Sequence, residues 1–474
     1  MKNTGPKKAA TFEAGARAMQ IALEKDDGRD PSAFHANPED PLHAAFRAKA
    51  AVHSGPSAIP LMGEGASKAF EALLDSPRRG KTLAYLHVPF CETRCLYCMF
   101  YQNPYSEEAA HAFADTLIAE LRLHADRPAQ KSGPIHAIYF GGGTPTALAP
   151  SDLKRVLQAV RECLPLANDC EITLEGRIHH FDDARVEAAL EGGVNRFSLG
   201  IQTFSTEIRR SMMRVDARDD MIRRLEAIGS YDEAALVIDL IYGFPGQTME
   251  VWESDLRTAA GLRLDGVDCY QLNVFEKSPL ARRIAAGKLP PAADAAMKAD
   301  MFARSVEFFT HENWRRLSNN HWGRTHRERN IYNELGKSSV DCLAFGCGAG
   351  GRLSGHAFML ERSLERYAAR VQAGEKPVQF MTRPGPHWTL LREISAAMES
   401  GAVSLEKLGA PFGLPLEALA KPVVDQWVEA GLLERHGRHL IQTVPGQYWH
   451  VTLAQLLVRW IESRLPKIMP AAAC

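Results

Sequence analysis

From Leu83 onward, short apolar, β-branched or aromatic runs alternate with longer stretches of helical spacing. The runs are Leu83–Val88, Ile135–Phe140, Glu171–Leu174, Arg196–Leu199, Leu236–Ile241 and Val267–Val274. Between them Phe113, Leu117 and Leu121 fall on one helix face, as do Leu153, Leu157 and Val160. Strand then helix, repeated six times, predicts an α/β fold of parallel strands joined by crossover helices. Six units are too few to close an eight-stranded barrel, so an open, partial (β/α)6 barrel is expected, with a flat doubly wound sheet as the alternative. In either, ligand residues gather at the C-terminal ends of the strands. The pattern continues with a helix near Asp294–Thr310, followed by a loop rich in His, Arg and Asn up to Gly351.

After Pro384 the pattern changes. Helices are predicted at Thr389–Ser400, Leu416–Ala430 and Leu453–Leu465, and Gly431–Gln442 reads as a hairpin. Helices followed by a hairpin suggest a winged-helix-like module that packs or covers. Residues 1–80 are rich in Ala, Gly, Pro and charge, with short helices predicted at Pro41–Val52 and Ala66–Leu74 and a loose stretch over the first thirty residues. Three units follow: an N-terminal extension over 1–80, the α/β core over 81–352 and the C-terminal module over 353–474.

Composition narrows the function. Apolar residues are 45% and charged residues 24%, the balance of a folded soluble chain, and the net charge is −1. No basic stripe favours nucleic acid. No run resembles a secretory signal or approaches a membrane span, so the cytoplasm is expected and membrane insertion is not. Nine cysteines, an odd number, argue for thiolate chemistry or buried thiols over a disulfide framework.

Three of those cysteines, Cys91, Cys95 and Cys98, fall within eight residues at the end of the first strand. Three thiolates on one short loop suit three corners of a [4Fe–4S] cube, with the fourth iron open to chelation. A structural zinc site wants four closed ligands, and no fourth Cys or His stands at a suitable nearby spacing. The second strand runs into Gly141-Gly-Gly-Thr-Pro-Thr146, where glycines let backbone N–H groups approach a carboxylate. Glu175, Gln202 and Asp239 end the third, fourth and fifth strands, and Arg214 follows the fourth.

The CxxxCxYC loop after a strand resembles the radical S-adenosylmethionine (SAM) superfamily, and the whole stretch 81–352 resembles its oxygen-independent coproporphyrinogen III oxidase-like group. The resemblance implies a [4Fe–4S] cluster on Cys91, Cys95 and Cys98, with Tyr97 packed beside it. It implies one SAM on the cluster, contacting Tyr85 and Glu175, and a second near Gly142, Gly143, Thr144, Gln202, Arg214 and Asp239. Asn273 stands where the group makes a further SAM contact, with a different residue type.

Within that group, the oxidases carry another Cys two places after the third cluster cysteine; here the place holds Phe100. The haem chaperones carry a later His where Arg329 stands in Arg327-Glu-Arg-Asn330. Phe100-Tyr-Gln-Asn103, Tyr270-Gln-Leu-Asn-Val-Phe275, the Arg-Glu-Arg-Asn loop and Phe345-Gly-Cys-Gly-Ala-Gly-Gly351 together are similar to the anaerobic haem-degrading methyltransferases, the anaerobilin synthases. That likeness implies anaerobic opening of haem to a linear tetrapyrrole, with addition of a SAM-derived methyl, release of iron and electrons from a flavodoxin-type donor. The alternatives are a coproporphyrinogen oxidase and a haem chaperone. Haem needs an apolar slot and cations for its propionates. Arg324, His326, Arg327 and Arg329 are the propionate candidates, His321 beside Trp322 the candidate to face the ring, and Tyr332 the candidate proton or hydrogen-atom donor. His87, on the first strand, is expected to make a structural hydrogen bond.

Overall fold

The structure, a computed structural model, describes residues 31–51 and 55–465. The loose stretch expected over the first thirty residues lies outside them, as does Cys474.

The six apolar runs form β1 (Thr82–Val88), β2 (Ile135–Gly142), β3 (Leu166–Gly176), β4 (Arg196–Gln202), β5 (Ala235–Tyr242) and β6 (Gly266–Gln271). Each is parallel to the next in chain order. Helices α1 (Glu107–Leu123), α2 (Pro150–Cys163), α3 (Asp183–Glu191), α4 (Arg218–Ser230) and α5 (Met249–Gly261) occupy the five crossovers, and α6 (Ala295–His311) follows β6. Ser106, Asp182, Thr248 and Asp294 each accept a backbone N–H at the start of α1, α3, α5 and α6, a cap typically worth ~1 kcal/mol. Phe113, Leu117 and Leu121 of α1, and Leu153, Leu157 and Val160 of α2, are buried against the sheet, the faces that the spacing predicts.

Strand register sorts the side chains. Tyr85 is opposite Tyr139, Tyr139 opposite Thr173, Glu175 opposite Ser198, Gly200 opposite Asp239, and Asp239 opposite Asp268. Directly opposed residues share a face, so these groups line one side of the sheet as a polar interior. Leu86, Phe140, Leu174, Leu199 and Ile238 alternate with them and are fully buried.

The stretch after α6, expected to be a loop, holds more structure. His321–Gly323 pairs antiparallel with β6 and Arg315–Ser318 pairs with it in turn. A short helix, α7 (Ile331–Lys337), leads into a seventh parallel strand, β7 (Asp341–Phe345), beside β1. Beyond β7 the sheet continues with Gly350–Leu353, His356–Leu360, Val378–Pro384 and Ala58–Leu61, making thirteen strands among the described residues. Among the described residues Ala58–Leu61 and Arg315–Ser318 end the sheet on its two sides, so the barrel is open.

The C-terminal module has helices at Trp388–Glu399, Leu405–Gly409, Leu416–Glu429 and His450–Glu462. A small sheet of Ala402–Val403, His439–Gln442 and Leu433–His436 completes a winged-helix-like arrangement. The helix predicted over Pro41–Val52 is a single turn, Pro41–Ala44. The chain around it is nevertheless anchored: Trp427 donates to Phe34 O at 2.8 Å, Trp449 to Leu42 O at 2.9 Å, and Lys49 to Gln271 at 2.7 Å. No helix among the described residues is long and apolar enough to cross a membrane.

Candidate active site

The thiols sit on the loop that leaves β1. Phe90–Cys91 forms a short bridge with Asn103–Pro104, and Leu96 is clasped by Met212 O and by Leu280 N. Gly143 N donates to Val88 O at 2.8 Å, and a Cβ on Gly143 would overlap Phe90 O, so glycine lets β2 press against the loop. Thr144 Oγ1 lies 3.5 Å from Cys91 Sγ, Phe100 N donates to Cys98 Sγ at 3.3 Å, and Arg214 Nη1 lies 3.7 Å from Cys95 Sγ. Burial pushes the Cys91 and Cys98 thiols up. Burial also opposes ionisation of Cys95, but Arg214 and Arg177 outweigh it and hold that thiol below its ordinary value.

Above the thiols, the polar interior opens. Glu175 is pushed up to about 8, chiefly by burial and then by Asp239. Asp239 is pushed up to about 7, by burial and then by Asp268. A Cβ on Gly141 would lie 2.7 Å from Glu175 Oε2, so the glycine turn crowds this carboxylate. Neither carboxyl makes a direct ion pair among the described residues, although Arg177 acts on Glu175 and Arg196, His321 and Arg214 act on Asp239 from farther off; an ammonium or sulfonium would supply the direct partner. Gln202 Oε1 and Arg214 Nε are buried and have no hydrogen-bond partner among the described residues, which also points to a missing polar ligand. Gln202 holds a left-handed φ of 73°, a strained backbone of the kind found at ligand clamps.

Tyr85, Tyr139 and Tyr332 form an aromatic wall, with centroids 6.5 Å and 4.8 Å apart for the Tyr85–Tyr139 and Tyr139–Tyr332 pairs. Tyr332 is therefore inside the barrel, against Tyr85, and burial keeps its hydroxyl protonated. His87 meets the Tyr85 hydroxyl at 2.9 Å and the Gln102 amide at 2.8 Å. Burial holds His87 down to about 4, and a Cβ on Gly142 would reach its ring at 2.6 Å. Arg214, expected at a second SAM, lies on Cys95, donates to Tyr97 Oη at 3.1 Å and bonds Gly200 O, with its Nε left without a partner among the described residues. Asn273 donates to Ala51 O at 3.3 Å.

The lower half of the interior departs from expectation. His321 is 1% exposed, with Nδ1 2.6 Å from Asp268 and Nε2 3.2 Å from Glu328. Both ring nitrogens face carboxylates, so His321 is an ion-paired group under the site and does not open onto its mouth. Glu328 also takes Arg196 Nε at 2.9 Å. The Arg-Glu-Arg-Asn loop lies at the N-terminal ends of the strands, away from the thiols. Arg324 bonds Leu262 O, Arg327 pairs with Asp232 and Arg329 with Asp169. His326 is exposed on the same loop. Glu171 accepts Ile331 N and Tyr332 N at 3.0 and 3.1 Å, fastening α7 across the floor. Arg177 and Asp268 escaped the sequence reasoning: their partners Thr93 and His321 come from loops or strands far away in the chain, and no spacing signals them.

The model of the radical SAM superfamily matches residues 85–259. The anaerobilin synthase of Escherichia coli O157:H7 is 41% identical over 421 residues, covering 88% of this chain and 93% of that protein. The heme chaperone HemW of Synechocystis is 28% identical, over 60% of this chain and 69% of that one. The solved coproporphyrinogen III oxidase (HemN) from Escherichia coli shares the fold, with a TM-score of 0.74 at 20% identity, over 86% of this chain and 96% of that one. The superfamily works with a [4Fe–4S] cluster and SAM, and the cysteine loop, the cation-seeking carboxyls and the partnerless Gln202 suit both. This chain belongs to the radical SAM superfamily and, within it, to the family of that anaerobilin synthase.

Proposed function

We propose that this protein is a radical SAM methyltransferase that opens the haem macrocycle without oxygen, adds a SAM-derived methyl and releases iron. The observation that carries the proposal is 41% identity to an anaerobilin synthase over 93% of its length. When bound, the cluster and SAM supply one-electron cleavage of SAM to a 5′-deoxyadenosyl radical. Cys91, Cys95 and Cys98 are the cluster ligands. Arg214 offsets thiolate charge at Cys95 and orients Tyr97. Tyr85 and Glu175 contact the SAM at the cluster, with Glu175 receiving its ammonium. Gly142, Gly143, Thr144, Gln202 and Asp239 serve the SAM sites, of which a radical initiator and a methyl source require two. Tyr332 is the proton or hydrogen-atom donor. His321 is a positioning residue, whose charge reaches Asp239 by way of Asp268.

An apolar, planar substrate suits the lip of the site. Met99 and Phe100 follow the last cysteine at 47% and 71% exposure, and Met213 and Val215 flank Arg214 at 46% and 52%. The cysteine loop and the Met212–Val215 segment are joined by the Leu96 N to Met212 O bond, and exposed apolar groups on both favour a large hydrophobic ligand. The protein acts in the cytoplasm with a flavodoxin-type donor.

Parallel anaerobic incubations with haem and with coproporphyrinogen III, each with SAM and reduced flavodoxin, test this. Haem should lose its Soret band, and coproporphyrinogen should release no carbon dioxide. Carbon dioxide from coproporphyrinogen would favour an oxidase. Haem left bound and unchanged through many SAM cleavages would favour a chaperone.

A further inference from the structure

Beside the cysteine loop, but outside the polar interior, three metal-ligating side chains converge. Glu92 follows Cys91, while His179 and His180 follow the end of β3. Arg177 Nη1 donates to Thr93 Oγ1 at 2.9 Å and ties the two loops together. His180 Nδ1 then lies 2.9 Å from Glu92 Oε1, and His179 Nε2 lies 3.6 Å from Glu92 Oε2. One ligand atom from each of the three residues falls within 4.8 Å of the others. We propose that Glu92, His179 and His180 bind one divalent transition-metal ion at a site separate from Cys91, Cys95 and Cys98.

The surroundings of His179 are those of a metal ligand. Its Nδ1 lies 2.9 Å from Asp216 Oδ1, and Asp216 is itself held by Arg209 at 3.3 Å. A carboxylate on one ring nitrogen fixes the tautomer and presents the other nitrogen, Nε2, to an ion. His180 has a φ of 56°, a left-handed backbone that residues with a Cβ adopt rarely. That turn stacks its ring on His179 with centroids 3.9 Å apart and brings both imidazoles to the same carboxylate.

The donor set chooses the class of ion. Two imidazoles and one carboxylate suit ferrous iron, cobalt, nickel or zinc, whereas magnesium and calcium prefer all-oxygen shells. Three protein ligands leave coordination positions open. Those positions face solvent, because His180 is 62% exposed and His179 30%. The site therefore takes up and gives up its ion without disturbing the barrel, and its existence does not depend on which tetrapyrrole the protein uses.

The test uses the full chain, anaerobically reconstituted with its iron–sulfur cluster, desalted and then titrated with Co(II) by calorimetry and visible absorption. One Co(II) per chain should bind beyond the cluster iron, with a spectrum of nitrogen and oxygen ligands and no sulfur-to-cobalt charge transfer. His180→Ala and Glu92→Gln should abolish this binding. Asp216→Asn should weaken it roughly ten- to hundredfold, as loss of a carboxylate behind a ligating histidine does. Iron and sulfide content equal to the parent protein shows that each variant is folded and loaded; a variant that fails this check is replaced by His179→Gln. No cobalt bound beyond the cluster, cobalt bound through sulfur, or equal binding by the parent and His180→Ala would each overturn the proposal.

Discussion

Glu175 and Asp239 have carboxyls whose pKa values, about 8 and about 7, rise because burial and like charge disfavour ionisation. A folded-state pKa above the unfolded value means that the folded protein holds its protons more tightly. Their contribution to the stability of the ligand-free protein is therefore fully present below about pH 4 to 4.5 and is lost as pH rises through 7 and 8. A bound cation reverses the preference, so SAM binding at pH 7 should release protons and tighten as pH rises through that window. Calorimetry in two buffers of different ionisation enthalpy checks this; a buffer-independent heat would show that the carboxyls do not meet the cation. Asp239→Asn should weaken SAM binding by roughly ten- to hundredfold, the loss of a charge-assisted contact of ~1.5–3 kcal/mol. At the cysteines, Cys95→Ala should leave the protein unable to hold its [4Fe–4S] cluster or cleave SAM, read by iron content and 5′-deoxyadenosine. Retention of both would remove Cys95 from the ligand set. The thiols and strand-end carboxyls were legible because spacing and strand position mark them. His179, His180 and Arg177 were not, because their partners Glu92, Asp216 and Thr93 lie 37 to 88 positions away in the chain.

Between elements, a buried ion-pair group ties the floor of the barrel, where Glu328 and Asp268 bracket His321 and Arg196 closes on Glu328. Burial disfavours the imidazolium, yet Asp268 and Glu328 push His321 up to about 9. A raised histidine pKa contributes stability that is fully present below about pH 6.5 and is lost as pH rises through 9. His321→Ala strands the buried Asp268 carboxylate, while Glu328 keeps Arg196, and should cost ~3–5 kcal/mol, with a correspondingly smaller loss of stability between pH 7 and 9 than in the parent. Urea unfolding at both pH values measures it; an unchanged midpoint would mean that His321 is not paired in solution. The six strands were legible because each is a short apolar run followed by a helical stripe. β7 was not: Asp341–Phe345 is five residues long and buried throughout, and such a run carries no alternation to separate strand from loop. Arg324, Arg327 and Arg329 read in the sequence as candidate partners for propionates, but they contact Leu262 O, Asp232 and Asp169.

For the whole molecule, the open sheet presents one polar interior, and the winged-helix-like module and the segment around Phe34–Ala50 are fastened to one another by Trp427 and Trp449. Lys49 reaches from that segment to Gln271 at the end of β6, so the N-terminal extension touches the mouth of the barrel. Periodicity and spacing led as far as a cluster-bearing open barrel. Haem entered through the likeness of whole motifs, since no spacing of side chains distinguishes haem from another tetrapyrrole, and the 41% identity to an anaerobilin synthase agrees with it. The most direct measurement is mass spectrometry of the product formed anaerobically from haem, a low-potential reductant and SAM labelled with carbon-13 in its methyl group. The expected product is an iron-free linear tetrapyrrole heavier by a methyl-derived carbon that carries the label. Intact haem after extensive SAM cleavage, or an opened ring without the label, would contradict it.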